Sequence, residues 1–188
     1  MTRPWSDLDD LVRIVERHAT HLQSAIHGPS HWRAVGAVAA ELAGTSRAEP
    51  GTTSATTVEP DRELLLLFAL LHDAMREDDG RDLEHGPRAE ILLERLRADG
   101  TIALSEARAA VLAEALRDHT NGTLSPEPTI GICWDADRLL IGRVGIVPDA
   151  RFCSTAEGRR RAIAGELPEL VGPETWRRVA AMLNVADR

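Results

Sequence analysis

Leu64-Leu65-Leu66-Leu67-Phe68-Ala69-Leu70-Leu71-His72-Asp73 joins the most apolar stretch of the chain directly to two polar residues. Pro60 just ahead of it suits a helix start. A helix that is apolar on every side is buried on every side. The run is far too short to span a bilayer, which takes about 20 residues. A carboxylate placed straight after a buried wall is costly unless something pairs with it. A divalent cation would pair with both residues, because imidazole nitrogen and carboxylate oxygen are its usual ligands. The competing reading is a helix C-terminus that emerges into water, with His72 interacting with the helix dipole.

Outward from this helix the pattern is helical on both sides. Ser6 is placed to cap a first helix, in which Leu8, Leu11, Ile14, Val15 and Leu22 form an apolar stripe. Ser30 caps a second helix over 31–43, stopped by Gly44. Residues 44–60, rich in Gly, Ser, Thr and Pro, read as a flexible loop and not as a domain boundary. Further helices are expected over 87–98, from Ser105 to Asp118, and over 129–144, ending before Pro148. Two short ones follow near 154–167 and 173–183. No internal repeat or strand pattern stands out. The expectation is one all-α domain over 1–188, a helical bundle with its core at about 25–145 and a C-terminal helical extension at 149–188. Trp176 and the C-terminal helices could form a homodimer contact or cover the core, and the sequence leaves both open.

Composition agrees. The chain has 188 residues, 43% apolar, with no Tyr and two Phe, a mix that favours helix over strand. Its net charge of −8 makes a nucleic-acid polymer a poor partner. A small phosphorylated ligand is still allowed, because a bound cation reverses the local field. Cys133 and Cys153 have neither metal-ligand spacing nor a disulfide framework and read as reduced thiols. With no signal pattern at residues 1–5 and no spanning segment, the expectation is a cytoplasmic protein without a membrane partner.

Four more residues share the chemistry of His72 and Asp73. His31 opens the second helix, His85 the fourth, His119 closes the fifth, and Asp137 lies within the sixth. Any one of them alone is more often a surface residue or a satisfied core residue. Placed one per helix and mostly at helix ends, they can converge in one cleft. The order His31, His72-Asp73, Asp137 resembles the H…HD…D pattern of the HD-domain superfamily of metal-dependent phosphohydrolases. The local contexts HWRAV, LLHDAMR and WDADRLLIGRVG carry that resemblance. In the last of these the aspartate before Arg138 is favoured as ligand over Asp135. His85 in EHGPRAE and His119 in LRDHTNG resemble the added ligands of the dinuclear branch.

The resemblance implies the rest. His31, His72, Asp73 and Asp137 would bind a first divalent metal, and Asp73 would bridge to a second held by His85 and His119. Mn, Fe, Co, Zn and Mg are not distinguished, although a His-rich set disfavours Mg alone. A metal-bound hydroxide would hydrolyse a phosphate ester bond of a nucleotide or another small phosphorylated metabolite. His72, Asp73 and Arg76 would be catalytic. Arg76, Arg88, Arg138 and Asn121 would contact substrate, although each arginine taken singly also fits a solvated surface charge. An arginine at position 76, where many such hydrolases carry lysine, is a poor proton donor. The same ligand order also serves HD-type di-iron oxygenases, and a non-catalytic ligand-binding protein could keep the fold. His27, cut off from the second helix by Gly28-Pro29, either lines the cleft or lies outside it. Asp118 and Asp135 are candidates to orient ligand histidines. His18 and His21 read as a solvated pair, and Glu77, Asp78, Asp79 and Asp82 as a solvated loop.

Overall fold

The central helix starts where Asp61 ends the chain's extended approach. The Asp61 carboxylate accepts the Glu63 and Leu64 amides, each at 3.2 Å, which caps two of the donors a helix start leaves unpaired. The same carboxylate takes a forked contact from Arg108 at 2.7 and 2.9 Å, and the Asp61 amide donates to the Thr129 hydroxyl at 3.1 Å. One residue thus starts a helix and fastens it to two others.

The structure is a computed structural model that describes residues 7–45 and 58–185. Its regular elements, in chain order, are α1 Leu8–His18, α2 Pro29–Thr45, α3 Arg62–Leu71, α4 His85–Ala98, α5 Glu106–Asp118, α6 Pro128–Leu139, α7 Ala156–Ala164 and α8 Trp176–Met182. Among the described residues there is no strand, so the all-α expectation holds. One core cluster runs from Leu8 to Val185. The Ser6 cap and most of the 44–60 loop lie outside the described residues. α1 is capped by Asp7, whose side chain accepts the Asp9 amide at 3.0 Å.

All eight residues from Leu64 to Leu71 are buried, as expected of a helix without a polar face. α2, α5 and α6 surround α3, and α1 and α4 also touch it. Each of these leucines contributes about 1.5–3 kcal/mol by leaving water. The packing hides the sides of α3 and leaves its C-terminal end, His72-Asp73, as the place where neighbouring helices bring polar side chains. α8 covers the far side of α2. Trp176 is buried within this cap and not exposed, so it covers the core. No helix among the described residues is long and apolar enough to cross a membrane.

Two boundaries differ from the sequence reading in ways that matter. α4 begins at His85, two residues before Pro87, because a first-turn proline removes an amide that has no helical partner anyway. α6 stops at Leu139 instead of continuing to Val144. A 3-10 turn, Ile141–Val144, follows and ends on Gly145 with φ 76°, a left-handed conformation that glycine adopts at little cost. That break swings the chain into a loop over 145–152 that becomes one wall of the site.

Candidate metal centre

His72 caps α3 and His119 caps α5, while His31 and His85 lie in the first turns of α2 and α4. Gly86 lets His85 and His119 meet. A Cβ there would lie 2.7 Å from the carbonyl oxygens of Leu116 and Arg117, so only glycine lets the start of α4 abut the end of α5. As a result His85 Nε2 lies 2.9 Å from His119 Nε2. On the other side of the centre His31 Nε2 lies 3.3 Å from His72 Nε2.

The His85–His119 pair cannot be an ordinary hydrogen bond between neutral rings. His72 Nδ1 faces the Ala69 carbonyl at 3.1 Å, His119 Nδ1 faces the Leu116 carbonyl at 2.7 Å, and His85 Nδ1 contacts the Asp82 carbonyl. A carbonyl only accepts, so each of these Nδ1 atoms must donate. Each Nε2 then carries a lone pair, and in the His85–His119 pair two lone pairs face each other. A shared cation turns that repulsion into coordination.

The carboxylates complete two groups. His31, His72 and Asp137 form one and Asp73, His85 and His119 the other, with ligand atoms in each within 4.8 Å of one another. Asp73 faces both: Oδ1 is 3.2 Å from His85 Nε2, and Oδ2 is 3.6 Å from both His31 Nε2 and His72 Nε2. Asp137 Oδ1 stands 3.2 Å from His31 Nε2 without an aligned hydrogen bond. Donors held about 2.0–2.2 Å from one cation lie about 3.0–3.6 Å apart, which is the spacing found here. The structure therefore brings all six sequence-predicted ligands together, five of them buried and Asp137 nearly so.

Protonation favours a cation as well. Burial pushes the His31 imidazole down to about 4, against the pull of Asp137. Burial, with His85 and His72 alongside, takes His119 to about 3, and burial lowers His72 too. Burial works against ionisation of both carboxylates. Hydrogen bonding from His27 at Asp73 and the Arg143 guanidinium beside Asp137 outweigh it, so both lie well below the usual range. Neutral imidazole and ionised carboxylate are the forms that bind metal.

Beside the ligands lies a cleft of about 480 Å³, whose lining includes the polar His27, Arg76, His119, Asp137 and Arg143 and the apolar Val144, Ile146, Val147 and Phe152. The chain matches no family model, no curated protein and no solved structure. The site's chemistry therefore has to be read from its own residues.

The remaining sequence candidates separate clearly. Arg76 lines the cleft, with Nε 3.4 Å from Asp73 Oδ1 and Nη1 on the Gly80 carbonyl at 3.0 Å. Arg138 also lines it but donates to the Phe152 carbonyl at 2.5 Å and packs over Trp134. Arg88 is not brought to the cleft lining and instead bonds Asp82 and, at 2.9 Å, the Met75 carbonyl, which fixes the loop after His72-Asp73. Asn121 is exposed and donates to Asp118 at 2.8 Å, and it does not line the cleft although its neighbours Thr120 and Gly122 do. Asp118 meets Arg117 and Asn121, and the partner of His119 Nδ1 is the Leu116 carbonyl. Asp135 is buried and accepts the Ser154 and Thr155 amides and the Thr155 hydroxyl, all at 2.7 Å, so it anchors the start of α7.

Two residues gain weight that sequence reasoning gave them only partly or not at all. His27 is buried, with Nδ1 3.0 Å from Asp73 Oδ2, and its turn is held by Trp32 Nε1 donating to the His27 carbonyl at 2.6 Å. Arg143 stands 3.1 Å from Asp137 Oδ1. In a continuous helix it would lie about 240° around from Asp137, and only the helix break brings it to the same side.

Proposed function

We propose that the chain is a dinuclear metal-dependent phosphohydrolase of the HD type, which cleaves a phosphate ester of a nucleotide or another small phosphorylated metabolite. The observation that carries this reading is the pair of ligand groups joined by Asp73, with imidazole lone pairs opposed at 2.9 Å in the His85–His119 pair. A single structural ion would need one group only. Two groups sharing a carboxylate fit two cations at close range, the arrangement suited to in-line displacement at phosphorus.

When bound, such ions supply an acidified water and positive charge for the phosphoryl oxygens. The protein's own residues do the rest. His72, His85 and His119 are oriented by the carbonyls behind them, so their lone pairs are aimed before any ligand arrives. Phe68, stacked on His72 with ring centroids 5.2 Å apart, keeps water from the back of the centre. His27 holds the Asp73 carboxylate in place through Nδ1. The guanidiniums of Arg76 and Arg143, at the two buried carboxylates, favour an incoming anion.

The test is phosphate release from a panel of nucleotides and sugar phosphates, with Mn, Fe, Co, Zn or Mg added to the stripped protein. Turnover with at least one metal, abolished by chelator, is expected. A protein that binds metal yet releases no phosphate across the panel contradicts the reading. Iron-dependent consumption of O₂ in its place assigns the site to the oxygenase branch.

A further inference from the structure

The charges of the centre leave an anion missing. Its two buried carboxylates already have cations beside them, Arg76 at Asp73 and Arg143 at Asp137. Any bound metal therefore adds its whole charge in excess. Asp79 and Asp149, the other carboxylates of the cleft, do not offset it: Asp79 is exposed and engaged with Ser24 and His21, and Asp149 is paired with Arg151. The arginines themselves are also short of acceptors. Arg76 Nε and Arg143 Nε and Nη1 are buried without a hydrogen-bond partner. A guanidinium carries five N–H donors, and leaving them buried and unpaired is costly. The cleft's lining also includes apolar side chains open to solvent, Val144, Val147 and Phe152, at 40%, 79% and 45% exposure.

We propose that Arg143, together with Arg76, seats the acidic group of the cleft's ligand, a small organic phosphate monoester whose apolar body lies along Val144, Val147 and Phe152. This assignment of the ligand rests on the phosphohydrolase reading. A phosphate dianion offsets more of the excess charge than a carboxylate does, and its oxygens match the guanidinium fork. Arg143 then has two partners in turn, Asp137 in the free protein and the ligand's phosphate in the complex. The apolar lining sets preference for what the phosphate is attached to and contributes no charge recognition.

Calorimetric titration of the metal-loaded protein with phenyl phosphate and with inorganic phosphate tests this. Arg143→Gln is expected to weaken both by at least about tenfold with metal content per chain unchanged. Phe152→Ala is expected to weaken phenyl phosphate several-fold and leave inorganic phosphate as it was. Arg143→Lys keeps the charge beside Asp137 and carries the test if the glutamine variant does not fold. It is expected to hold metal normally and to bind phenyl phosphate about three- to tenfold more weakly, having lost the fork. Phenyl phosphate bound by the Arg143 variants as tightly as by wild type overturns the seat. If the wild type meanwhile hydrolyses a phosphate ester, the hydrolase reading survives that failure. Phenyl phosphate held through Arg143 with no phosphate ester cleaved has the opposite meaning: the seat stands and the hydrolase reading falls.

Discussion

Asp135 and Asp137 lie two residues apart on α6 and have opposite surroundings. Asp135 accepts two backbone amides and a hydroxyl, all at 2.7 Å, from the turn that starts α7. Asp137 Oδ1 faces His31 at 3.2 Å and Arg143 at 3.1 Å and makes no aligned hydrogen bond to either. Asp135 is fully buried and Asp137 nearly so, and burial alone does not account for the difference. A buried carboxylate whose acceptors are all used holds structure together. One that is surrounded by donors it does not bond is waiting for a different partner. The same contrast separates the α6–α7 junction, which is chemically complete, from the candidate metal centre, which is not.

The contrast can be broken from either side. The largest effect is expected at the incomplete end. Asp73→Ala removes the carboxylate that faces both ligand groups, and metal content should fall from close to two per chain to below one, with phosphatase activity down by about 10³ or more. Thermal stability of the metal-free protein should fall as well, because the change leaves the buried His27 and Arg76 without the carboxylate they face. A normal metal content in this variant would mean that the two groups do not share Asp73.

At the complete end Asp135→Ala leaves the part-buried amides of Ser154 and Thr155 unpaired. The expected cost is about 2–4 kcal/mol, read as a fall in melting temperature of roughly 5–15 °C, while the folded variant still binds metal. Should Asp135→Ala lose metal and keep its stability, the roles assigned to the two aspartates are reversed.

Acid acts on the metal centre. His31 and His119 titrate at about 4 and about 3 when folded, against an ordinary value near 6.5. The unfolded chain therefore binds more protons across that window. Stability of the metal-free protein should fall as pH drops from about 6.5 toward 4, by up to about 1.4 kcal/mol per pH unit for each group. Because both rings stay neutral well below pH 7 in the folded protein, metal affinity should be nearly flat from pH 8 to about 5 and decline as pH approaches 4. Chemical denaturation and metal titration across pH 4–8 would show both trends, and stability that rises on acidification contradicts the protonation states assigned here.

The smallest expected effect is at the far end of α3. Asp61→Ala loses the helix cap and the Arg108 fork, for about 1–2 kcal/mol, without altering metal binding.

The sequence made the core helix and the ligands legible for one physical reason. An apolar run with no polar face has only one place to go, and a His-Asp pair at its end needs a partner in that place. The four histidines stood out by residue type and by their positions at helix ends, while the full set of six, with Asp137 chosen over Asp135, came from the resemblance to HD-domain proteins. His27 was harder to place, because Gly28-Pro29 separates it from α2 and nothing local says which way the turn points. Arg143 was missed because helical periodicity continued through Leu139 and set it on another face. The pointer was Gly142, Gly145 and Pro148, which together mark a helix end earlier than the apolar pattern does. Arg88 and Asn121 were read by nearness in sequence to ligands, but contacts with Asp82 and Asp118 claim their side chains first.

The central claim is that two cations bind between four imidazoles and two carboxylates, and metal content per chain tests it most directly. Elemental analysis of the reconstituted wild type should give close to two divalent ions, and His85→Ala/His119→Ala, which dismantles only one group, should give close to one. No metal in the wild type after reconstitution, or an equal count in the two proteins, would contradict the account.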